Sequence, residues 1–419
     1  MNVNTAVNLE DLRLMARRKL PRIAFDFIDG GVDDEDCMRR NREAFRRYQL
    51  VPRYLVDVST RNQSTELLGR RYASPFGISP TGLAGLFHPG ADELLAQAAK
   101  DADIPFLLSS ASNAAVEKVA KIAPDHVWFQ IYGTRDERIN TDLVKRARDS
   151  GVRTLVVSVD VPVNSNRERN KRNGFSRPFR MTPSVVFEAL GHPAWVLRYL
   201  RSGGIPMMSN WAPYGKAGAS AAEVADLYGT LTPAPMIKWQ TLERIRADWN
   251  GPLVVKGLLH PDDARQAAAI GVDALIVSNH GGRQLDVAPT PLEMLPAIRA
   301  AVGDKVELML DSGVRRGSDI VIAKCLGARF STFGRPTLFG AAAGGARGIA
   351  RALQIVRNEI DMVMAQIGCS AFDSLDERYL RTEGTAPQFE SFNAPAATLP
   401  AHDEQPVTAL PIPTLRRQR

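Results

Sequence analysis

The sequence predicts an α/β protein built as a (β/α)8 barrel, and three observations carry this. Between Phe76 and Gly334, eight short apolar runs rich in β-branched and aromatic residues alternate with helical stretches. Each run ends in polar or titratable residues, which a barrel of parallel strands gathers on one face. A doubly wound sheet, the alternative, usually announces a nucleotide site by a G-x-G-x-x-G after its first strand. Here the glycine-rich stretch Gly340 to Gly348 lies inside a helical run with no strand leading into it, and reads as close packing.

The chain opens with a helical preface. Asn8 has the look of a helix cap, and Leu9, Leu12, Leu14 and Met15 form a helical stripe. Pro21 opens the next helix, Gly30-Gly31 ends it, and the acids Asp33 to Asp36 start another. The eight strands then follow: Phe76–Ser79, Ile104–Ser109, Val127–Tyr132, Thr154–Asp160, Pro252–Gly257, Ala274–Val277, Val306–Asp311 and Arg329–Gly334. Helical stretches at Ala91–Asp101, Ala114–Ile122, Asp136–Ser150, Pro261–Ile270, Pro291–Val302 and Gly317–Leu326 separate them, and a last helix begins near Thr337. This gives a lead-in over residues 1–70, a barrel over 71–383 interrupted by an insertion at about 176–237, and a Pro-rich tail over 384–419.

Composition narrows the class. At 419 residues, with 44% hydrophobic and 24% charged residues, the chain can bury a large core. A net charge of +7 is mild for this length, and no aromatic-and-basic recognition module accompanies it, so nucleic acid is not expected as a partner. Cys37, Cys325 and Cys369 are odd in number, far apart and without C-x-x-C spacing, which fits a reducing compartment and no zinc site. No signal-peptide pattern and no run approaching about 20 apolar residues is visible.

The chemistry centres on Ala274-Leu-Ile-Val-Ser-Asn-His-Gly-Gly-Arg-Gln-Leu-Asp286. A buried strand delivers His280 and Arg283 to a turn that Gly281 and Gly282 let bend tightly, placing an imidazole and a guanidinium where proton transfer beside a carboxylate needs them. An isolated His-Gly-Gly-Arg is more often a surface loop. The other strand ends change that reading: Pro80-Thr81-Gly82, Ser109, Gln130 and Tyr132, Ser158 and Asp160, Lys256, Ser278, Asp311 and Gly313, Gly334 and Arg335. Gly313-Val-Arg315 after strand seven and Gly334-Arg335 after strand eight occupy the position where barrels frequently bind phosphate, and bare glycine amides with two arginines suit a dianion.

These motifs resemble the FMN-dependent 2-hydroxy acid oxidases and dehydrogenases. The resemblance rests on Ser278-Asn-His-Gly-Gly-Arg-Gln-Leu-Asp286, Asp311-Ser-Gly-Val-Arg-Arg-Gly317, Phe129-Gln-Ile-Tyr132 and Pro80-Thr81-Gly82, and runs from about Leu20 to Gly384. Within that family, Val159-Asp-Val-Pro-Val-Asn-Ser-Asn-Arg-Glu-Arg169, Ser110-Ala-Ser-Asn113 and Ala365-Gln-Ile-Gly-Cys369 look most like the bacterial (S)-mandelate dehydrogenases. The resemblance implies His280 as the base and Asp160 as the group that stabilises its imidazolium. It implies Arg167 and Arg283 as the substrate-carboxylate clamp, Tyr132 at the substrate hydroxyl, and Lys256 beside flavin N1 and O2. Pro80, Thr81, Gly82, Ser109, Gln130 and Ser158 would meet the isoalloxazine and Ser278 the ribityl chain. Asp311, Gly313, Arg315, Gly334 and Arg335 would hold the ribityl-phosphate end.

One position departs from the family. Phe27 stands where members usually carry a substrate-facing Tyr, removing one hydroxyl from the carboxylate site. Gly82 is typical of several dehydrogenases where oxidases more often carry Ala.

The resemblance also implies a quinone or other electron acceptor, a homotetramer, and a cytoplasmic protein held peripherally on the inner face of the cell membrane. The surface for that contact is expected over residues 180–215, where Trp195, Leu197, Tyr199 and Leu200 stand beside Arg198 and Arg201. A lid on the barrel, or an oligomer contact, is the equal alternative from residues alone. The tail, with Pro387, Pro395, Pro400, Pro406, Pro411 and Pro413 before Arg416-Arg417-Gln-Arg419, reads as extended. The expected activity is oxidation of the S enantiomer of a bulky or aromatic 2-hydroxy acid. An L-lactate dehydrogenase, a peroxide-forming oxidase, an FMN barrel isomerase and a non-catalytic flavin- or phosphate-binding barrel are the competing readings.

Overall fold

A computed structural model of the chain describes residues 2–175, 182–204 and 206–382. Eight parallel strands close into a barrel in chain order: β1 (Phe76–Ile78), β2 (Phe106–Ser109), β3 (Val127–Tyr132), β4 (Leu155–Ser158), β5 (Leu253–Leu258), β6 (Ala274–Val277), β7 (Glu307–Leu310) and β8 (Phe330–Phe333). Ring closure comes from β8 against β1, with Phe333 opposite Ile78. The predicted barrel is therefore the observed one, with no strand end moved by more than two residues.

The two-residue period of a strand explains how one barrel holds both a core and a site. Leu107, Trp128, Val156, Val254, Ile276, Met309 and Phe330 form a buried cluster inside the barrel. Two positions further along each of these strands stand Ser109, Gln130, Ser158, Lys256, Ser278, Asp311 and Thr332, all buried. The same face of each strand is thus apolar low in the barrel and polar at its C-terminal mouth. The opposite face packs under the helices, as Phe129, Ile131, Val255 and Val277 do in the main core. Full burial of side chains of this size stabilises by about 1.5–3 kcal/mol each.

Two small sheets escaped the sequence reading. A hairpin of Thr65–Leu67 and Arg70–Tyr72 supplies Leu67 and Tyr72 to the inner cluster, where the Trp128 indole N–H donates to the Tyr72 hydroxyl at 3.3 Å. Tyr48–Leu50 pairs antiparallel with Leu380–Thr382.

The helical preface forms as read, with one correction. Asn8 caps the helix Leu9–Lys19 through a bond from the Asp11 amide, and Pro21 caps Arg22–Asp29. Leu9, Leu12, Met15 and Ala16 are buried, but Leu14 is 41% exposed, because it lies on the solvent side of the 3.6-residue turn. Gly340 and Gly348 do serve close packing: a Cβ on Gly340 would meet the Gly348 carbonyl oxygen at 2.4 Å. They lie on two helices, Arg335–Gly344 and Ala346–Gln366, since Gly345 at φ 59° ends the first.

The insertion returns to the barrel. Trp195 and Trp211 are buried, and the Trp195 indole donates to the Leu86 carbonyl at 3.0 Å. Trp195 and Tyr199 stack at 4.9 Å and pack against the barrel core, so the predicted exposed stripe of 180–215 loses both. Val186, Phe187, Leu190, Leu197 and Leu200 remain exposed on the helices Pro183–Leu190 and Pro193–Arg201. Among the described residues no helix is long and apolar enough to cross a membrane. The Pro-rich tail lies outside the described residues.

Candidate active site

Strand register brings the site residues to one level. Tyr132 on β3 sits opposite Ser158 on β4, which sits opposite Lys256 on β5. β5 then carries an irregularity between Lys256 and Leu258, and the extra residue is Gly257 at φ 109°. A Cβ at Gly257 would meet Asp160 Cβ at 2.5 Å, so the bare glycine is what lets the Asp160 side chain seat itself. His280 has φ 58°, an uncommon backbone for a non-glycine residue, and its amide donates to Ser278 Oγ at 3.0 Å.

A cavity of about 600 Å³ opens over this mouth. Its wall includes Phe27, Pro80, Thr81, Gly82, Tyr132, Ser158, Arg167, Lys256, His280, Arg283, Asp311, Gly313, Arg315, Gly334 and Arg335. Of the predicted site residues, Asp160, Ser109, Gln130 and Ser278 are not part of that wall; Asp160 reaches it through His280.

The titratable groups interlock. His280 Nδ1 lies 2.9 Å from Asp160 Oδ1, and Lys256 Nζ lies 2.9 Å from Asp311 Oδ2 and 3.8 Å from Asp160 Oδ2, while donating to Ser278 Oγ at 2.8 Å. Burial pushes the His280 imidazole below its usual range; Asp160 opposes the shift, and Lys256 and Arg167 add to it. Burial alone would raise the Asp160 carboxyl, yet His280 and Lys256 outweigh it and hold it below the usual range. Burial would likewise lower the Lys256 ammonium, but Asp311 and Asp160 outweigh it, so it stays charged. The result is a neutral base backed by a fixed anion, with a cation beside it.

The arginines are held by backbone and side chains around them. Arg167 Nε donates to Ser165 Oγ and its Nη2 to Gln284 Oε1, both at 3.1 Å. Arg283 Nη1 donates to the Gly30 carbonyl at 2.8 Å, and its guanidinium lies 5.4 Å from the Phe27 ring centre. Arg335 donates to the carbonyls of Ile28, Gly30 and Gly281 at 2.9–3.0 Å. The helical preface is therefore part of the site, through Phe27 and the Gly30 carbonyl.

The residues fit FMN. Arg315 is pushed down to about 9 by burial and by Arg335 and Arg42, and burial also lowers Arg335. A phosphate dianion bound beside them would relieve that penalty. Near the mouth, both amide atoms of Gln130 and the Thr81 hydroxyl are buried with no protein partner among the described residues, as a planar heterocycle with ring-edge donors and acceptors requires. No group of His, Cys, Asp and Glu able to hold a metal occurs among the described residues.

Part of the insertion packs on the barrel, as the lid alternative expects, but sequence reasoning did not name the residues that reach the cavity. Phe175, Tyr199, Met208 and Tyr228 line the cavity, and Phe175 lies 4.6 Å from the Phe27 ring. Nothing in local pattern marks these residues, because their placement depends on how the insertion folds back. Thr332, inward on β8 and in the wall, could have been found from the two-residue period alone.

The model of the FMN-dependent dehydrogenase family matches residues 16–382. The (S)-mandelate dehydrogenase of Pseudomonas putida is 40% identical over 383 residues, covering 91% of this chain and 96% of the relative. An L-lactate dehydrogenase of Caulobacter vibrioides is 40% identical over 372 residues, covering 88% and 96%. Among solved structures, the monotopic membrane protein (S)-mandelate dehydrogenase superposes with a TM-score of 0.87 at 40% identity, covering 90% of this chain and 100% of that one. A mandelate oxidase superposes at 0.76 with 34% identity, covering 90% and 99%. With barrel, cavity and family model coinciding over nearly the whole described chain, the protein belongs to the FMN-dependent dehydrogenase family, and FMN is its cofactor.

Proposed function

We propose that the chain oxidises the S enantiomer of a 2-hydroxy acid, mandelate or another acid with a bulky or aromatic side group, to the 2-oxo acid. The observation that carries this is the His280–Asp160 pair at 2.9 Å, in which Asp160 stands behind the ring and His280 lines a cavity whose wall also holds Arg167 and Arg283. His280 takes the substrate proton and Asp160 stabilises the imidazolium that forms. Arg167 and Arg283 hold the carboxylate, and Tyr132 bonds the hydroxyl. Thr81, Gly82, Ser109, Gln130 and Ser158 would hold the flavin ring, Lys256 would place a cation beside it, and Ser278 would meet the ribityl chain. Asp311, Gly313, Arg315, Gly334 and Arg335 would hold the phosphate end. FMN, when bound, supplies the two-electron acceptor. The aromatic preference is supported by Phe27, Phe175, Tyr199 and Met208 in the cavity wall.

Electrons pass on to a quinone or another acceptor, with the exposed apolar residues of Pro183–Leu190 and Pro193–Arg201 resting on the cytoplasmic face of the membrane. The monotopic character of the mandelate dehydrogenase neighbour supports this reading, as family resemblance supports a tetramer. The visible spectrum of the purified protein before and after anaerobic (S)-mandelate, and separately L-lactate, tests the function. Bleaching by mandelate alone is expected. Bleaching by lactate alone would move the substrate to a small 2-hydroxy acid, and a flavin bleached by neither would overturn the reading. Peroxide formed one-to-one with product would make the chain an oxidase.

A further inference from the structure

The turn after β2, Ser110-Ala-Ser-Asn113, carries a buried network that proton transfer and cofactor binding do not use. Asp92, on the helix Ala91–Ala102 and 1% exposed, accepts the amides of Asn113 at 2.7 Å and Ala114 at 3.1 Å through Oδ2. Asn113, so seated, reaches two further segments. Its Oδ1 accepts the Gly85 amide at 2.8 Å, in the turn after β1, and its Nδ2 donates to the Met207 carbonyl at 3.1 Å, in the returning insertion. Ser209 Oγ donates back to the Asn113 carbonyl at 2.5 Å. Asn210, fully buried, accepts the Val116 amide at 2.9 Å and donates to Ser112 Oγ at 2.9 Å.

The three tied segments all reach the cavity. Gly82 and Ala111 line it from the turns after β1 and β2, joined by the Leu83 amide donating to the Ala111 carbonyl at 3.1 Å. Pro206 and Met208 line it from the insertion. A shift of the insertion relative to the turns would therefore change the width of the chamber without touching His280, Arg167 or Arg283.

We propose that Asn113, seated by Asp92, is a positioning residue that registers the insertion's wall at Pro206 and Met208 against the turns bearing Gly82 and Ala111, and so sets how large a side group the substrate can carry. The size-selection part rests on the 2-hydroxy acid reading above; the mechanical link does not.

The test compares wild type with Asn113→Ala, with Ser209→Ala as the milder variant and Asp92→Asn as the conservative one that keeps an acceptor for the two amides. Hydrogen exchange of the flavin-loaded protein without substrate reads the link. Faster exchange over residues 206–216 in Asn113→Ala is expected, with β3 to β7 unchanged; exchange unchanged over 206–216 overturns the proposal. Steady-state kinetics on (S)-mandelate and L-lactate read the selection. The KM for mandelate is expected to rise about tenfold relative to that for lactate, with kcat kept within about twofold, Ser209→Ala intermediate and Asp92→Asn near wild type. An equal loss on both acids would reduce Asn113 to a merely structural role and overturn the proposal. A wild type that oxidises neither acid would instead defeat the functional reading and the size selection with it, while the exchange result still decides the link.

Discussion

His280 Nδ1 stands 2.9 Å from one oxygen of Asp160, while Lys256 Nζ approaches the other oxygen at 3.8 Å. The carboxylate is thus shared between the ring proposed as the base and the cation that helps keep the carboxylate ionised. With Nδ1–H donating to Asp160, Nε2 is left as the basic atom of the ring.

Asp160→Asn is expected to lower the rate of anaerobic flavin bleaching about 10²–10⁴-fold, the usual span of general acid–base assistance. The pH profile supplies the sign. If His280 is the base, as proposed, its neutral imidazole is the acting form and its pKa is lowered by burial, so wild-type kcat/KM should hold on the acid side below the ordinary imidazole range and then fall. Asp160 is the group that raises that pKa, so its removal should move the acid limb to still lower pH while the plateau drops. A limb that moves upward would contradict this assignment.

The phosphate end should behave as a charge problem. Replacing Arg315 or Arg335 by Gln removes a charge-assisted bond worth about 1.5–3 kcal/mol, so FMN should bind about 10–100-fold more weakly. Flavin fluorescence on titrating the apoprotein measures this directly. Unchanged affinity in both variants would place the phosphate elsewhere.

Phe27→Tyr adds a hydroxyl to a cavity-wall ring whose centre lies 5.4 Å from the Arg283 guanidinium. A neutral hydrogen bond contributes about 0.5–1.5 kcal/mol, so KM for the accepted 2-hydroxy acid should fall roughly 2–10-fold. Kinetics unchanged on every acid tested would sink the idea that this position shapes carboxylate binding.

Membrane contact is best tested on the surface of the insertion. Deleting residues 180–215 would also remove Trp195 from Leu86 and Met208 from the cavity wall. Phe187→Ser combined with Leu200→Ser, at residues 80% and 66% exposed, should release the protein from vesicles in a flotation assay while leaving flavin bleaching within about twofold. Equal flotation of both proteins would count against this surface.

The barrel and its mouth were legible because a strand's two-residue period writes core and site into the same run: Trp128 is followed by Gln130, and Val254 by Lys256. The gathering of His280, Asp160 and Lys256 follows from strand order alone. The three-residue strands Tyr48–Leu50 and Leu380–Thr382 were not legible, being too short to show a period and defined only by each other. The Gly30 carbonyl as a shared acceptor for Arg283 and Arg335 could not be read either, since every residue type carries that atom. Whether the Trp195 helix faces a membrane or the barrel is not legible, since an amphipathic helix does not reveal which of its faces finds a partner.

The pairing of β8 with β1, Ser331 opposite Phe76, has a consequence for the order of events at the ribosome. More than two hundred and fifty residues separate these strands, so the ring cannot shut until the last of them has emerged. Gly334 and Arg335 follow that strand immediately. The residues proposed to hold the phosphate therefore emerge after Asp160, Lys256 and His280, next to the strand whose arrival closes the ring.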